Sequence, residues 1–354
     1  GGCDLCLIFR LIGLVCGIFL ITGASLFASD VIVVDVKTGK INHLDSKGNR
    51  RIVLKTKIDS TQLITGESLG SGGLFSVRQV DLESLKSKEI ACFMFKYGYL
   101  SRWAYDFSTG IDRVVYARDH SGDLSLLNLQ NKIDKVLLKG VAGVGDLNIS
   151  MVRWISSSEF MLISADSDGD LVRNINVISS ESAQKKLLDR IPMQPLGGVS
   201  VSESGKWLAC VEAQPSGLPG ETLRIYDLSR FTITAKIPSE GSLPRLLKWN
   251  GNDSELVFVS GNTINRWKVG DKRSHPLIVV KKNITIDGLF VSDKYVGYIT
   301  REAPWSFGNL FKNKRQLILV DRTNGKQIFS IVDEFNGEIF SAGKGRYIVA
   351  EVGY

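Results

Sequence analysis

Short apolar runs alternate with polar turns along most of this chain. The runs are rich in Val, Ile, Leu, Phe and Tyr, and Gly, Asn, Asp and Ser separate them. No long stretch places its apolar residues at the spacing of an amphipathic helix. The pattern therefore predicts an all-β protein built from many short strands.

One pattern recurs at both ends of the chain. VIVVDVKTGK (31–40) and LILVDRTNGK (317–326) each place four apolar residues before an Asp and a polar turn that ends in Gly-Lys. Weaker copies such as TLRIYDLSR (222–230) lie between them, and the seven copies recur at a period of about 48 residues. A period of roughly 40–50 residues is typical of the four-stranded blades of a β-propeller. The sequence therefore predicts seven blades.

The two ends of the chain are expected to share one blade. A strand–turn–strand pattern such as VSVSESGKWLACVE (199–212) precedes six of the copies and supplies the first and second strands of each blade. The chain begins with a third-and-fourth pair, VIVVDVKTGKINHL (31–44), and ends with a first-and-second pair, GEIFSAGKGRYIVAEV (337–352). Joining these halves closes the ring, and a closed ring leaves no long sheet edge open.

The recurring Asp of the pattern predicts a defined turn after the third strand. Asp35, Asp227 and Asp321 are expected to accept backbone N–H groups of this turn. The Gly that follows Asp35 and Asp321 is expected to supply a positive φ angle. These residues are therefore predicted to be structural.

At this point the sequence resembles a known group of propellers. SESGKWLACVE (202–212), followed by TLRIYDL (222–228), is similar to the repeats of TolB-type and WD40-like seven-bladed propellers, and the resemblance covers nearly all of residues 30–354. The Gly-His and Trp-Asp pairs of strict WD40 repeats are missing, since Lys268 follows Trp267 and Tyr226 precedes Asp227. The resemblance implies one monomeric propeller domain, over residues 29–354, of four-stranded antiparallel blades.

Residues 1–28 have the composition of a targeting segment. Arg10 precedes an unbroken apolar or small run that ends in small residues just before Asp30. This pattern predicts a secretory signal peptide or a membrane anchor, and thus an exported protein with membrane contact only through this segment. Of the five cysteines, Cys92 and Cys210 lie outside it, so one disulfide at most is expected in the propeller.

Charge argues against a nucleic-acid-binding protein. The net charge is +7 over 354 residues, and no cluster of five or six Lys and Arg occurs. A nucleic-acid-binding surface needs a concentrated basic stripe. The chain therefore predicts a soluble surface and no nucleic-acid partner.

One acidic turn is a candidate calcium site. SADSDGDL (164–171) places Asp166, Asp168 and Asp170 at alternate positions, and Ca²⁺ prefers such oxygen ligands. Gly169 precedes the third acid, whereas the calcium-loop pattern has its Gly after it, and no Glu follows as a bidentate ligand. A solvated hairpin turn is the alternative, and no other cofactor is predicted.

Two enlarged connections, both between second and third strands, suggest where a partner binds. They are AQPSGLPGE (213–221) in blade four and REAPWSFGNLFKNKRQ (301–316) in blade six. Aromatic and Arg residues are common interface anchors, and loops on a rigid scaffold often carry binding groups. The alternative is that the aromatic residues cover their own blade. The predicted partner-binding residues, all in the blade-six connection, are Trp305, Phe307, Phe311, Lys312, Lys314 and Arg315.

Together these features favour an exported, non-catalytic propeller that binds a protein partner through the face with the enlarged connections. Two other functions stay open. One is an enzyme of the lactonase or glycosidase type acting at the mouth of the central channel, and the other is a cofactor- or metal-binding propeller of the quinoprotein type. The three histidines, His43, His120 and His275, lie in different predicted blades, so their spacing suggests no zinc site or His-based triad.

Overall fold

The computed structural model describes most of the chain from residue 29 onward. The described residues are 29–44, 51–56, 60–68, 74–94, 105–108, 110–117, 123–139, 149–166, 169–192, 198–212, 222–238, 242–302 and 315–353. They form 28 β-strands and no helix. Within these ranges no helix exists that could cross a membrane.

The strands form seven sheets of four strands each, and each sheet is one blade. Blade one contains β3 (Arg51–Thr56), β4 (Gln62–Ser68), β5 (Leu74–Asp81) and β6 (Ser87–Met94). Blade two contains β7 (Tyr105–Phe107), β8 (Arg113–Ala117), β9 (Leu124–Asn128) and β10 (Asp134–Leu138). Blade three contains β11 (Ile149–Trp154), β12 (Glu159–Asp166), β13 (Gly169–Ser179) and β14 (Lys185–Pro192).

The remaining blades repeat this order. Blade four contains β15 (Val199–Val201), β16 (Trp207–Glu212), β17 (Thr222–Asp227) and β18 (Thr232–Pro238). Blade five contains β19 (Arg245–Trp249), β20 (Glu255–Ser260), β21 (Thr263–Lys268) and β22 (His275–Val279). Blade six contains β23 (Ile284–Val291), β24 (Tyr295–Glu302), β25 (Arg315–Asp321) and β26 (Gln327–Asp333). Blade seven contains β27 (Phe335–Ala342), β28 (Tyr347–Gly353), β1 (Ser29–Asp35) and β2 (Lys40–Leu44).

Blade seven closes the ring as the sequence predicted. Its strand order is β2-β1-β28-β27, so the first strand of the chain lies between its own hairpin partner and the last strand. β1 and β28 pair antiparallel from Ser29 opposite Gly353 to Asp35 opposite Tyr347. All seven sheets are antiparallel, which confirms the predicted seven-bladed propeller.

The core lies between the blades. The buried apolar residues form seven clusters, and each cluster joins two neighbouring blades. In β16, Trp207, Ala209 and Val211 pack on blade five, while Leu208 and Cys210 pack on blade three. Successive side chains of a strand point to opposite faces of its sheet. The middle strands are therefore apolar on both faces, which explains their nearly continuous apolar runs.

The predicted Asp turns are confirmed. Asp35 Oδ1 accepts the Lys37 N–H at 2.9 Å, and Asp321 Oδ1 accepts the Thr323 N–H at 2.8 Å. Asp227 makes the equivalent bond with the N–H of Ser229. The glycines of the two Gly-Lys turns have the expected positive φ angles, 70° at residue 39 and 68° at residue 325.

The strand order gives the ring two different faces. In an antiparallel sheet, the connection between the second and third strands lies at the same end as the connections between blades. We call this end the loop face; near blade six it is marked by the end of β24 and the start of β25. The opposite end, the turn face, carries the Asp turns and the turns between first and second strands. The strand ends that flank the enlarged connections of blades four and six therefore lie at the loop face.

Candidate partner-binding site

The blade-six connection joins the two strands that the sequence predicted. β24 ends at Glu302 and β25 begins at Arg315. The intervening residues 303–314 lie outside the described residues. That segment contains five of the predicted binding residues, which therefore stay predictions: Trp305, Phe307, Phe311, Lys312 and Lys314. The sixth, Arg315, is described.

Arg315 lies in a group of charged side chains at the base of this connection. Its Nε lies 3.1 Å from Oδ2 of Asp287, and Nε of Arg301 lies at the same distance from the same oxygen. A terminal nitrogen of Arg315 also donates a hydrogen bond to the carbonyl oxygen of Phe335 in blade seven. Two guanidinium groups thus share one carboxylate at the edge of the loop face.

The strand register brings these residues together. Thr300 pairs with Gln316, so Arg301 and Arg315 are the next residues outward on neighbouring strands. On the other side of β24, Thr285 pairs with Arg301, and a bulge at Asp287 follows. Bulges redirect single side chains, often near functional sites. Arg301 and Arg315 lie on the sheet face whose apolar residues, Ile299, Leu317 and Leu319, pack on blade seven.

A third arginine reaches this group from blade five. A terminal nitrogen of Arg245, at the start of β19, donates a hydrogen bond to the carbonyl oxygen of Ile286 at 2.5 Å. Burial lowers the pKa of Arg245, and the nearby Asp287 carboxylate partly offsets this effect. Arginine stays protonated at physiological pH despite such shifts. We call Arg245, Arg301 and Arg315 with Asp287 the arginine cluster.

The arginine cluster differs from the other ion pairs of the described chain. Arg51 pairs with Glu67, and Arg322 pairs with Glu255. In blade four, Arg224 contacts two acids, Glu212 and Asp189. In each of these groups the acids equal or outnumber the cations, whereas at Asp287 two arginines form ion pairs with one acid.

The predicted calcium site is only partly described. Asp166 ends β12 and pairs with Gly169 at the start of β13. Asp168 lies outside the described residues, as do the side chains of Asp166 and Asp170. Among the side chains that the structure describes, no three His, Cys, Asp or Glu residues converge as metal ligands do. The calcium hypothesis stays a prediction.

The described histidines and cysteines lie apart. His43 is half exposed on β2, with Nδ1 3.7 Å from Oδ2 of Asp30, and His275 is exposed on β22. His120 lies outside the described residues. Cys92 is free and exposed on blade one, whereas Cys210 is free and buried in blade four, so they form no disulfide. Burial raises the pKa of the Cys210 thiol well above its usual value, and a buried neutral thiol is a poor nucleophile.

A cleft of about 450 Å³ lies on the turn-face side, between blades one and two. Its lining includes the amides of Gln62, Gln79 and Gln130 together with Lys88 and Glu89. Glu89 already accepts the hydroxyl hydrogen of Ser76 at 2.7 Å. A glycosidase needs a pair of carboxyl groups on either side of the scissile bond, and this lining offers one acid.

The sequence analysis named Arg315 as a binding residue but did not name the residues that surround it in the structure. Arg245, Asp287 and Arg301 were not among the predicted site residues, although Arg301 and Arg315 stand at the two ends of the blade-six connection. An Arg at each end of a loop between antiparallel strands was the available signal, because the two ends of such a loop lie side by side. The contribution of Asp287 depends on a bulge that the sequence does not reveal.

Comparison with known proteins supports the fold and leaves the family open. No protein-family model matches the chain. No curated protein matches it by sequence. Many solved structures do resemble it.

One similar structure is the TolB-type protein of Agrobacterium tumefaciens, with 9% identity and a TM-score of 0.51 over 93% of this chain and 99% of that one. Another is the Cps50 (Swd1) β-propeller domain of Myceliophteria thermophila, with 10% identity and a TM-score of 0.54 over 85% of this chain and 98% of that one. A third is an oligogalacturonate lyase in complex with manganese, with 11% identity and a TM-score of 0.56 over 85% of this chain and 83% of that one. Since these proteins include a TolB-type protein, a β-propeller domain and a lyase, the similarity shows a shared propeller fold and no shared function.

Proposed function

We propose that this protein is an exported, non-catalytic propeller that binds a protein partner through the loop face around blade six. The observation that carries the proposal is the arginine cluster at the base of the enlarged blade-six connection. Arg301 is half exposed there, and its ion pair with Asp287 uses Nε rather than a terminal nitrogen. Loops held by a rigid scaffold are common binding sites.

The composition of the connection supports the same face. Residues 303–314 carry Trp305, Phe307 and Phe311 next to Lys312 and Lys314. Aromatic residues and Arg are enriched in the energetically dominant positions of protein interfaces. A partner with apolar side chains and negative charge is the natural complement of such a surface.

The rest of the proposal concerns the setting of the propeller. Residues 1–28 would direct the chain to export, as a cleaved signal peptide or as an anchor. Because the first and last strands of the propeller already pair with each other in blade seven, no second copy is needed to close the ring, and the propeller would act as a monomer. The acidic turn with Asp166, Asp168 and Asp170 would bind calcium, and the bound ion would stabilise this turn on the same face.

Enzyme chemistry is the competing function, because an oligogalacturonate lyase has the same fold. The described titratable side chains give it little support. Asp81, Asp227 and Asp321 have pKa values below their usual range, and hydrogen bonds from turn residues contribute to each of these shifts. The pKa of Tyr226 is raised by burial first, and its hydroxyl donates to Asp189 at 2.7 Å. These shifts belong to structural contacts.

The test is affinity capture from native extract with residues 29–354 as bait. A second bait carries Trp305→Ala, Phe307→Ala and Arg315→Ala, and a third carries Val269→Ala and Arg273→Ala in an exposed turn of blade five on the turn face. We expect a protein that the first and third baits retain and the second loses. Circular dichroism and thermal unfolding would check that all three are folded. The same proteins on all three folded baits, or none on any, would contradict the proposal.

A further inference from the structure

We propose that the arginine cluster is a carboxylate-binding subsite, and that it recognises an acidic segment of the partner. This inference rests on the proposed function, since it names the chemistry of the partner at the same face. Its starting point is the imbalance of charge. Arg301 and Arg315 form ion pairs with Asp287, and among the described residues no other acid lies within ion-pair distance of these two arginines. Arg245 adds a third positive charge; burial lowers its pKa, and its electrostatic interaction with Asp287 partly offsets this effect.

Nearby exposed cations extend the positive surface. Lys281 and Lys282 lie in the connection between blades five and six, directly before β23, and both are exposed. Asp333 and Glu334 follow at the end of β26, and neither forms an ion pair with the arginines. The described charges around the start of blade six therefore remain positive in sum. Such a surface attracts acidic segments and raises their association rate.

The internal ion pairs leave donors available. The two contacts to Asp287 use the Nε atoms, and neither Asp287 Oδ2 nor Arg315 Nε makes an aligned hydrogen bond with a described residue. The terminal nitrogens of Arg301 donate to no other described residue. Because a guanidinium group presents its donors as a planar fork, it binds an incoming carboxylate through two parallel hydrogen bonds.

Geometry favours one accessible arginine supported by two partly buried ones. The side chain of Arg301 is 50% exposed, whereas that of Arg315 is 22% exposed and is tied to blade seven. Arg245 is held by the backbone of blade six. Arg301 would therefore contact the ligand directly. Arg315 and Arg245 would position Asp287 and keep the local potential positive.

A purely structural cluster and a binding subsite predict different responses to mutation. Both Arg301→Gln and Asp287→Asn break an internal ion pair, so a structural role predicts that they act in the same direction. For a binding subsite they act in opposite directions. Arg301→Gln removes the guanidinium group that would bind the ligand carboxylate. Asp287→Asn removes the internal carboxylate that competes with the ligand for this group.

The experiment measures binding of a fluorescein-labelled peptide with a run of four Glu to residues 29–354 by anisotropy at low salt. A matched peptide has Gln at the four positions, and Arg273→Gln on the turn face is the matched control variant. We expect the Glu peptide to bind more tightly than the Gln peptide. We also expect Arg301→Gln to weaken the affinity for the Glu peptide about tenfold and Asp287→Asn to strengthen this affinity. Arg273→Gln should change the affinity less than about twofold. Unfolding curves would show that each variant is folded.

Three results would overturn the inference. The first is equal binding of the Glu and Gln peptides, and the second is a change in the same direction for Arg301→Gln and Asp287→Asn. The third comes from an additional peptide with phosphoserine at the four positions, if that peptide binds and the Glu peptide does not. The capture experiment distinguishes a failure of this inference from a failure of the proposed function. If the triple variant loses its partner but the Glu peptide shows no preference, the face binds a partner by other chemistry. If the peptide results hold but capture finds no partner, the subsite stands and the scaffold function fails.

Discussion

The contact between blades three and four on the turn face makes a quantitative prediction at Gly205. This residue lies in the turn between β15 and β16 and has a φ angle of 74°. A Cβ atom added there would lie 1.8 Å from the carbonyl oxygen of Ile155, in the corresponding turn of blade three. Because the obstacle is backbone, no side-chain rotation relieves it.

The cost of Gly205→Ala has two parts. A left-handed φ angle costs a residue with a Cβ about 1–2 kcal/mol. Separating two packed backbone segments adds about 1–3 kcal/mol, the usual cost of overpacking. Gly39 supplies the matched control, since its φ angle is 70° and a Cβ there would meet no atom within 4 Å. We therefore expect Gly205→Ala to destabilise by about 2–5 kcal/mol and Gly39→Ala by about 1–2 kcal/mol.

Urea unfolding, followed by tryptophan fluorescence, would measure both costs. The comparison requires equal m-values, because a changed m-value signals a changed denatured or native state. Equal destabilisation by the two substitutions, within about 0.5 kcal/mol, would refute the close approach of blades three and four.

Three further predictions concern the ring. Ile32→Ala, in the buried strand that closes blade seven, should cost about 2–5 kcal/mol in urea unfolding, whereas Ile41→Ala on the outer strand should cost little; equal costs would contradict the ring closure. Asp106→Ala should lower the free energy of unfolding by about 1–3 kcal/mol, because the Asp106 carboxylate accepts the backbone N–H of Trp154 at 2.8 Å and pairs with Lys55, and so joins three blades. An unchanged free energy of unfolding would exclude this role in joining the blades. Hydrogen bonds donated by Thr323 are the main reason why the pKa of Asp321 is lowered. The ionised carboxylate therefore stabilises the folded protein fully above the unfolded pKa of 3.8, and this stabilisation is lost as the pH falls through the lower folded pKa. Asp321→Asn should therefore lose less stability than the native protein between pH values of about 5 and 3, and identical losses would count against the hydrogen-bonded turn.

Sequence periodicity was sufficient to predict the propeller and its closure. The seven copies of the pattern predicted the number of blades, because each copy marks a third strand, and the copies at 31–40 and 317–326 predicted the closure. The strands are local and their turns have strong residue preferences, so this information is present in short segments.

The candidate site was less accessible to prediction from sequence. The arginine cluster joins residues of blades five and six through a bulge and a register, and neither feature has a strong sequence signal. Arg315 was identified by its aromatic and basic neighbours along the chain. Arg245 and Asp287 lie in strands whose sequences carry no binding motif, and their proximity to Arg315 is a property of the assembled ring.

The most direct test of the partner-binding surface is amide hydrogen exchange on the propeller with and without the captured partner. The partner should slow exchange at residues 299–302 and 315–318 on the loop face. Exchange in the turn-face segments 269–273 and 322–326 should stay unchanged. Slowed exchange confined to the turn face, with no effect at the base of the blade-six connection, would contradict the account.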